Sequence, residues 1–267
     1  GEMSGTLLKR ELKINGKLLA LFLAVLTLYG GMITSMFDPK LGESLKAMAD
    51  SMPDLFSAFG MNQSGATLTE FLSNYLYGFL LVVFPMVFLI LLANRLLTRY
   101  LDRGSIAFLL ATPNRRSKLA LTQAFVMVLL LFCLTLYMTG LLLGLSAALF
   151  PGELDCGAFL LLNAGLFGLY LFLSGLCFCT ACLWSEPRLA TGVGAGACIA
   201  FVLLQMLSRV GEKFEWLKYA TPLTLFDPQG LIGGEPSAVW SFLLLYTGGL
   251  ALYGVGIAVF CRRDIPA

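Results

Sequence analysis

The sequence predicts an all-α integral membrane protein with six transmembrane helices. Both termini are expected on the cytoplasmic side, with short amphipathic helices at the N-terminus and in one inner loop. Three observations predict this class. The first is composition: 58% of the 267 residues are apolar and only 13% are charged, where soluble domains carry about 25% charged residues. The second is that Asp, Glu, Lys and Arg are absent from six long stretches, 18–37, 71–94, 119–152, 156–185, 189–208 and 236–261. A helix crossing about 30 Å of hydrocarbon needs about 20 apolar residues, and helices satisfy their own backbone hydrogen bonds in lipid. The third is the sidedness of the charges. With the N-terminus inside, 13 of the 18 Lys and Arg residues fall on inner segments and 11 of the 16 acidic residues on outer ones, as the positive-inside rule requires. A disordered chain, a nucleic-acid binder and an ordinary soluble enzyme are excluded by the same composition.

The elements follow in order within one transmembrane domain, 1–267. Leu7, Leu8 and Leu12 beside Lys9, Arg10 and Lys13 predict a basic amphipathic N-terminal helix. The first span, 18–37, has full spanning length and no clear small-residue cleavage site, so it reads as an anchored helix rather than a removed signal. In the outer loop 38–70, Met52, Leu55, Phe56, Phe59 and Met61 recur around Pro53 at roughly helical spacing. They fit an outer gate, a surface-lying helix or a folded cover over the spans. Asn62-Gln63-Ser64 has the form of a glycosylation acceptor. Span two is expected at 71–94 with a kink at Pro85, and an inner loop follows at 95–118. Spans three and four are expected at 119–149 and 156–184; these runs exceed the minimum and allow tilt. Span five is expected at 189–208 and span six at 237–261. Between them the outer segment 209–236 carries Trp216 and Tyr219, boundary residues, and Pro222 and Pro228, which predict short helices dipping toward the bilayer.

The spans lack the usual equipment of several function classes. Carriers driven by protons or ions keep ionisable groups at membrane depth, and these runs hold none. The chain has no His, so neither a His-Glu-x-x-His zinc site nor a Ser-His-Asp triad can form. No phosphate-cradling Gly-rich loop ending in Gly-Lys-Ser or Gly-Lys-Thr occurs, so no cofactor is expected in this chain. Asp38, Glu153, Asp155 and Asp227, near the boundaries, are scattered and read as solvated loop charges. Cys177, Cys179 and Cys182 read as small apolar helix residues rather than ligands. The Gly140/Gly144 and Gly192/Gly196 pairs, and Gly248, Gly249, Gly254 and Gly256, allow close helix approach; packing within one bundle is favoured over a dimer seam.

The inner loop is the most informative segment. Gly104-Ser105 is a turn followed by a helix start, with Ser105 as N-cap. Ile106, Leu109 and Leu110 then form an apolar stripe, and Pro113 disfavours helix at Thr112. A two-turn amphipathic helix is expected, flanked by Arg99 and Arg103 before it and Arg115 and Arg116 after it. Physically it fits two environments equally: anionic lipid at the interface, or a groove on a soluble partner.

The pattern Gly104-Ser105-x-x-x-Leu109-Leu110-x-Thr112-Pro113-x-x-Arg116 resembles the signature between spans two and three of ABC-2 type permeases. Asp102 is the nearest acidic residue to the Gly, and Tyr100 stands at one place where that family usually has Glu. The N-terminal helix, the large first outer loop, the inner turn Trp184-Ser185-Glu186-Pro187-Arg188 and the terminal Arg262-Arg263-Asp264 extend the resemblance along nearly the whole chain. It implies the membrane subunit of a bacterial ATP-driven exporter in the cytoplasmic membrane. A second permease chain completes the pathway, and two copies of an ABC ATPase subunit carry ATP and Mg. It also implies that the loop is a coupling helix, with Arg99, Asp102, Arg103, Gly104, Ser105, Ile106, Leu109, Leu110, Thr112, Pro113 and Arg116 at the ATPase contact. An uncharged pathway suits amphipathic peptides, such as toxins of the phenol-soluble-modulin kind, or other hydrophobic cargo. Met138, Phe172, Phe178 and Phe201 are candidates for its lining, each weighed against plain packing. The rival readings are a membrane enzyme acting on lipid or peptide and a non-transporting assembly factor.

Overall fold

In a computed structural model the described residues are 5–59, 61, 67–98, 113–184 and 186–262. They are all-helical, without strands, and six helices are long and apolar enough to cross a membrane. The chain is a multi-pass membrane protein.

The first helix, α1, runs unbroken over Gly5–Ser35. The expected N-terminal amphipathic helix is therefore the first turns of span one, with no joint between them. Continuity is possible because Lys9, Arg10, Lys13 and Lys17 all lie on the exposed face. On the opposite face Glu11 and Asn15 are buried, Asn15 Nδ2 donating to a Glu11 carboxylate oxygen at 2.9 Å. The outer loop folds into two helices, α2 (Pro39–Ser51) and α3 (Pro53–Ala58). Phe59 stacks edge-on to Phe79 at 4.9 Å, and α3 also touches span five, so this segment packs against spans two and five. Asn62-Gln63-Ser64 lies outside the described residues.

Span two departs most from its expected bounds. Instead of one helix over 71–94, the chain forms α4 (Leu68–Tyr75), a turn at 76–79, and α5 (Leu80–Ala93). Thr67 caps α4 by accepting from the Glu70 amide at 3.2 Å, the first half of a Thr-x-x-Glu capping box. The break is bridged by two wide turns, Tyr77 N–H to the Leu72 carbonyl at 3.3 Å and Leu81 N–H to the Leu76 carbonyl at 2.9 Å. No charge marks this place, and the buried Tyr77 hydroxyl finds its partner, Asn163 Oδ1, on another helix at 2.5 Å. Pro85 lies inside α5. Lacking an N–H, it leaves the Leu81 carbonyl without its helical donor. The Tyr170 hydroxyl from span four donates to that carbonyl, so a defect within one helix is repaired by its neighbour.

Span three, α6, covers Pro113–Leu149 and begins six residues before the charge-free run, with proline in the first turn, where its missing N–H costs nothing. A tight turn follows, with Pro151 at its second position, Gly152 at φ +76° and Glu153 N–H to the Phe150 carbonyl at 3.3 Å; a positive φ at the third turn position favours glycine. Span four, α7 (Cys156–Leu183), is capped by Asp155, which accepts from the Ala158 amide. It is the central helix, with 78% of its most apolar window buried. Span five, α8 (Pro187–Ser208), is the least buried at 17%. The outer segment after it forms two 3-10 stretches, Glu212–Ala220 and Pro222–Leu225, and a short α9 (Pro228–Ile232). Leu223, Phe226 and Leu231 are buried, whereas Trp216 and Tyr219 are exposed, as in a boundary layer. Burial there lowers the pKa of Arg209, and nearby Asp227 partly offsets it. Span six, α10, is Pro236–Arg262.

The closest helix contact is between α7 and α10. An added Cβ at Gly249 would lie 2.8 Å from the Leu171 carbonyl carbon, and one at Gly175 would lie 2.8 Å from the Gly249 carbonyl oxygen. Gly168 and Gly256 accommodate Tyr246 and Phe178 in the same seam. Tyr246 and Tyr253 bond back to α7, at the Ala164 carbonyl (2.7 Å) and Ser174 Oγ (2.6 Å). By contrast Gly140, Gly144, Gly192 and Gly196 have nothing within 4 Å of an added Cβ. The two Gly-x-x-x-Gly pairs therefore take no part in packing within the chain, contrary to expectation; small residues permit close approach only where a partner backbone is present.

Candidate functional site: the loop-side ends of spans two and three

The motif-bearing loop hangs from two helix ends. On the span-two side, α5 widens into a π-helical turn over Asn94–Thr98, the kind of irregularity often found at functional positions. On the span-three side, α6 opens at Pro113. The two roots are tied together: Gln123 Nε2 of α6 donates to the Leu96 carbonyl in the π turn at 2.7 Å. Leu96 and Leu97 are fully buried there, and Gln123 is buried with them. A buried amide placed this way satisfies a carbonyl that the widened turn exposes, and it fixes the distance at which the chain leaves and re-enters the bundle.

The π turn is also tied to span five. Thr191 Oγ1 donates to Asn94 Oδ1 at 3.3 Å. Asn94, Thr191, Cys177 and Thr180 line a small cleft between spans two, four and five. Thus one short stretch of span two, five residues long, makes contact with α6 and α8, and it leads directly into the loop.

Of the residues singled out from sequence, Arg99, Asp102, Arg103, Gly104, Ser105, Ile106, Leu109, Leu110 and Thr112 lie outside the described residues. Pro113 and Arg116 are described; they stand at the start of α6, and Arg116 is half-buried. Asn94, Leu96, Gln123 and Thr191 were not legible as site residues. Asn94 and Gln123 are polar residues at the edges of apolar runs, a weak signal that only the cross-helix geometry sharpens.

The aromatic and Met side chains considered for a pathway all pack in or against the hydrophobic core. Phe178 is fully buried in the α7–α10 seam, and Met138 is buried with its terminal carbon near Gly30. Phe172 is half-buried against Gly248, and Phe201 is half-buried on α8. Among the described residues no group of three or more His, Cys, Asp or Glu side chains is placed to hold a metal ion. Comparison with protein-family models, with curated proteins and with solved structures finds no match.

Proposed function

We propose that the chain is the permease subunit of an ATP-driven exporter of the ABC-2 type in a bacterial cytoplasmic membrane. Two copies form the pathway, and separate ATPase subunits bind ATP and Mg. The observation that carries this reading is the 95–118 loop. It holds six of the 18 basic residues around the Gly104–Arg116 pattern, between the second and third of six apolar helices. The charge-free spans support it, since such a chain has no titratable relay of its own and its energy comes from another polypeptide. In this reading Leu109 and Leu110 anchor in a cleft on the ATPase, and the flanking Arg residues form a charged rim. Closure of the ATPase pair pulls on the π turn at Asn94–Thr98 and on the start of α6. The cargo is apolar or amphipathic, peptides of membrane-active character being the best fit to an uncharged bundle.

The test is affinity capture of the full chain from its native membrane, with mass identification of the soluble subunit that accompanies it. Arg103→Glu combined with Leu109→Asp is expected to release that subunit while the chain stays inserted. Retention of the subunit by the double variant refutes the docking assignment.

A further inference from the structure

Span five meets the bundle along a narrow seam. Its buried residues are Ala190, Gly194 and Cys198, spaced one turn apart on a single face. At the middle of that seam the helices approach closely: an added Cβ on Gly194 would lie 2.7 Å from Thr180 Oγ1 and 3.5 Å from the Cys177 Cα. One turn further on, Cys198 Sγ of α8 faces Cys177 Sγ of α7 at 3.8 Å, both thiols free and buried. A disulfide has sulfurs about 2.0 Å apart, so joining them requires side-chain rotation and a closer approach of the two helices. The two thiols are not equivalent. Cys177 lines the cleft shared with Asn94, Thr180 and Thr191, and Cys198 does not. The cleft is small and partly open, with room for about one water-sized molecule.

We infer that Cys177 and Cys198 form a redox-responsive pair, in which hydrogen peroxide oxidises Cys177, the thiol at the cleft, and Cys198 resolves it into a disulfide joining span five to span four. The Cys177 sulfur attacks one peroxide oxygen; a sulfur–oxygen bond forms, the oxygen–oxygen bond breaks, and water leaves with the thiol proton. The Cys198 sulfur then displaces the hydroxyl of the Cys177 sulfenic acid, and the second water leaves with the Cys198 proton. Two thiols together give up two electrons, one peroxide accepts them, and two waters are produced. The product is uncharged, which suits a buried place in the membrane where a thiolate or bound cation is costly. The least buried span is then covalently fixed to the central one. This pairing does not depend on the transport proposal, and its test reads the bond itself.

The full-length protein in phosphatidylcholine–phosphatidylglycerol vesicles is treated with hydrogen peroxide, and its peptides are mapped by mass spectrometry. The expected result is a Cys177–Cys198 disulfide, reversed by a membrane-permeant phosphine, with unchanged helical circular dichroism. In Cys198→Ser, dimedone is expected to trap a sulfenic acid on Cys177; in Cys177→Ser, no adduct is expected on Cys198. Should both thiols remain fully alkylatable on unfolding, at peroxide levels that oxidise the exposed Cys133 and Cys156, the inference is overturned. Pairing of Cys177 with Cys179 or Cys182 overturns it equally, and so does a dimedone adduct confined to Cys198. The disulfide map of the unsubstituted chain decides the matter if a Ser variant fails to fold.

Discussion

Tyr170 shows how a single hydroxyl decides what a helix can tolerate. Proline at position 85 removes the donor for the Leu81 carbonyl, and a bare carbonyl in hydrocarbon is expensive. The Tyr170 hydroxyl fills that role from α7. Removing it by Tyr170→Phe is expected to cost about 1 kcal/mol, between the average and the maximum for side-chain hydrogen bonds within membranes. A cycle with Pro85→Ala tests the cause. Restoring the amide at 85 gives Leu81 its helical donor again, so Tyr170→Phe should cost less in that background. Denaturation in mixed micelles measures both losses; equal losses in the two backgrounds would show that Pro85 and Tyr170 are not coupled. Gln123 does related work at the root of the inner loop, where it satisfies the Leu96 carbonyl of the π turn. In each case a long-range side chain completes a local backbone irregularity.

At the scale of elements, glycine serves two different purposes in the six helices. In the α7–α10 seam it makes room for a neighbouring backbone. Gly249→Ala would push a methyl into the Leu171–Phe172 peptide and is expected to destabilise by about 1–3 kcal/mol, the usual cost of overpacking. Gly192→Ala places its methyl in open space and should lose nothing; higher helix propensity gives it up to about 1 kcal/mol. Thermal unfolding of the two variants in the same detergent checks the contrast, and a similar loss in both would contradict this assignment of the seam. The sequence motif points the other way, since Gly192/Gly196 has the recognised spacing and Gly249 has only a neighbouring glycine. Spacing records that close approach is possible on one helix; it says nothing about where the partner lies. Helix boundaries divide in the same manner. The ends of α7, α8 and α10 fall within two residues of the sequence expectation because charges, prolines and Asp155 punctuate them. The break at 76–79 was hidden, because no charge interrupts the run there and its stabilising partner, Asn163, is 86 residues away. The union of the basic N-terminal stretch with span one was hidden too, since four cations on one exposed face leave a helix intact.

For the whole molecule, the fold class was legible because membrane insertion imposes a coarse rule on charge, and a six-span count needs nothing finer. The proposed function rests on the 95–118 loop, a short and local pattern. What the structure adds is a physical route from that loop inward. The π turn at its first root bonds to α6 through Gln123 and to α8 through Asn94, while α7 holds spans two and six by tyrosine hydroxyls. The exposed faces of α1, α8 and α10 are apolar, with Leu28, Leu203 and Leu250 all more than half exposed. Such surfaces belong against lipid or a second copy. The chain is thus built around one buried helix, with the basic 95–118 loop joining spans two and three.

The account depends most on what that loop touches. Its two physical environments, anionic lipid and a protein groove, can be told apart by replacing Leu109 with the photoreactive amino acid p-benzoyl-phenylalanine and irradiating native membranes. The proposed function predicts a covalent adduct between position 109 and a nucleotide-binding ATPase subunit. An adduct found only with phospholipid would contradict it and return the loop to the role of an interfacial anchor.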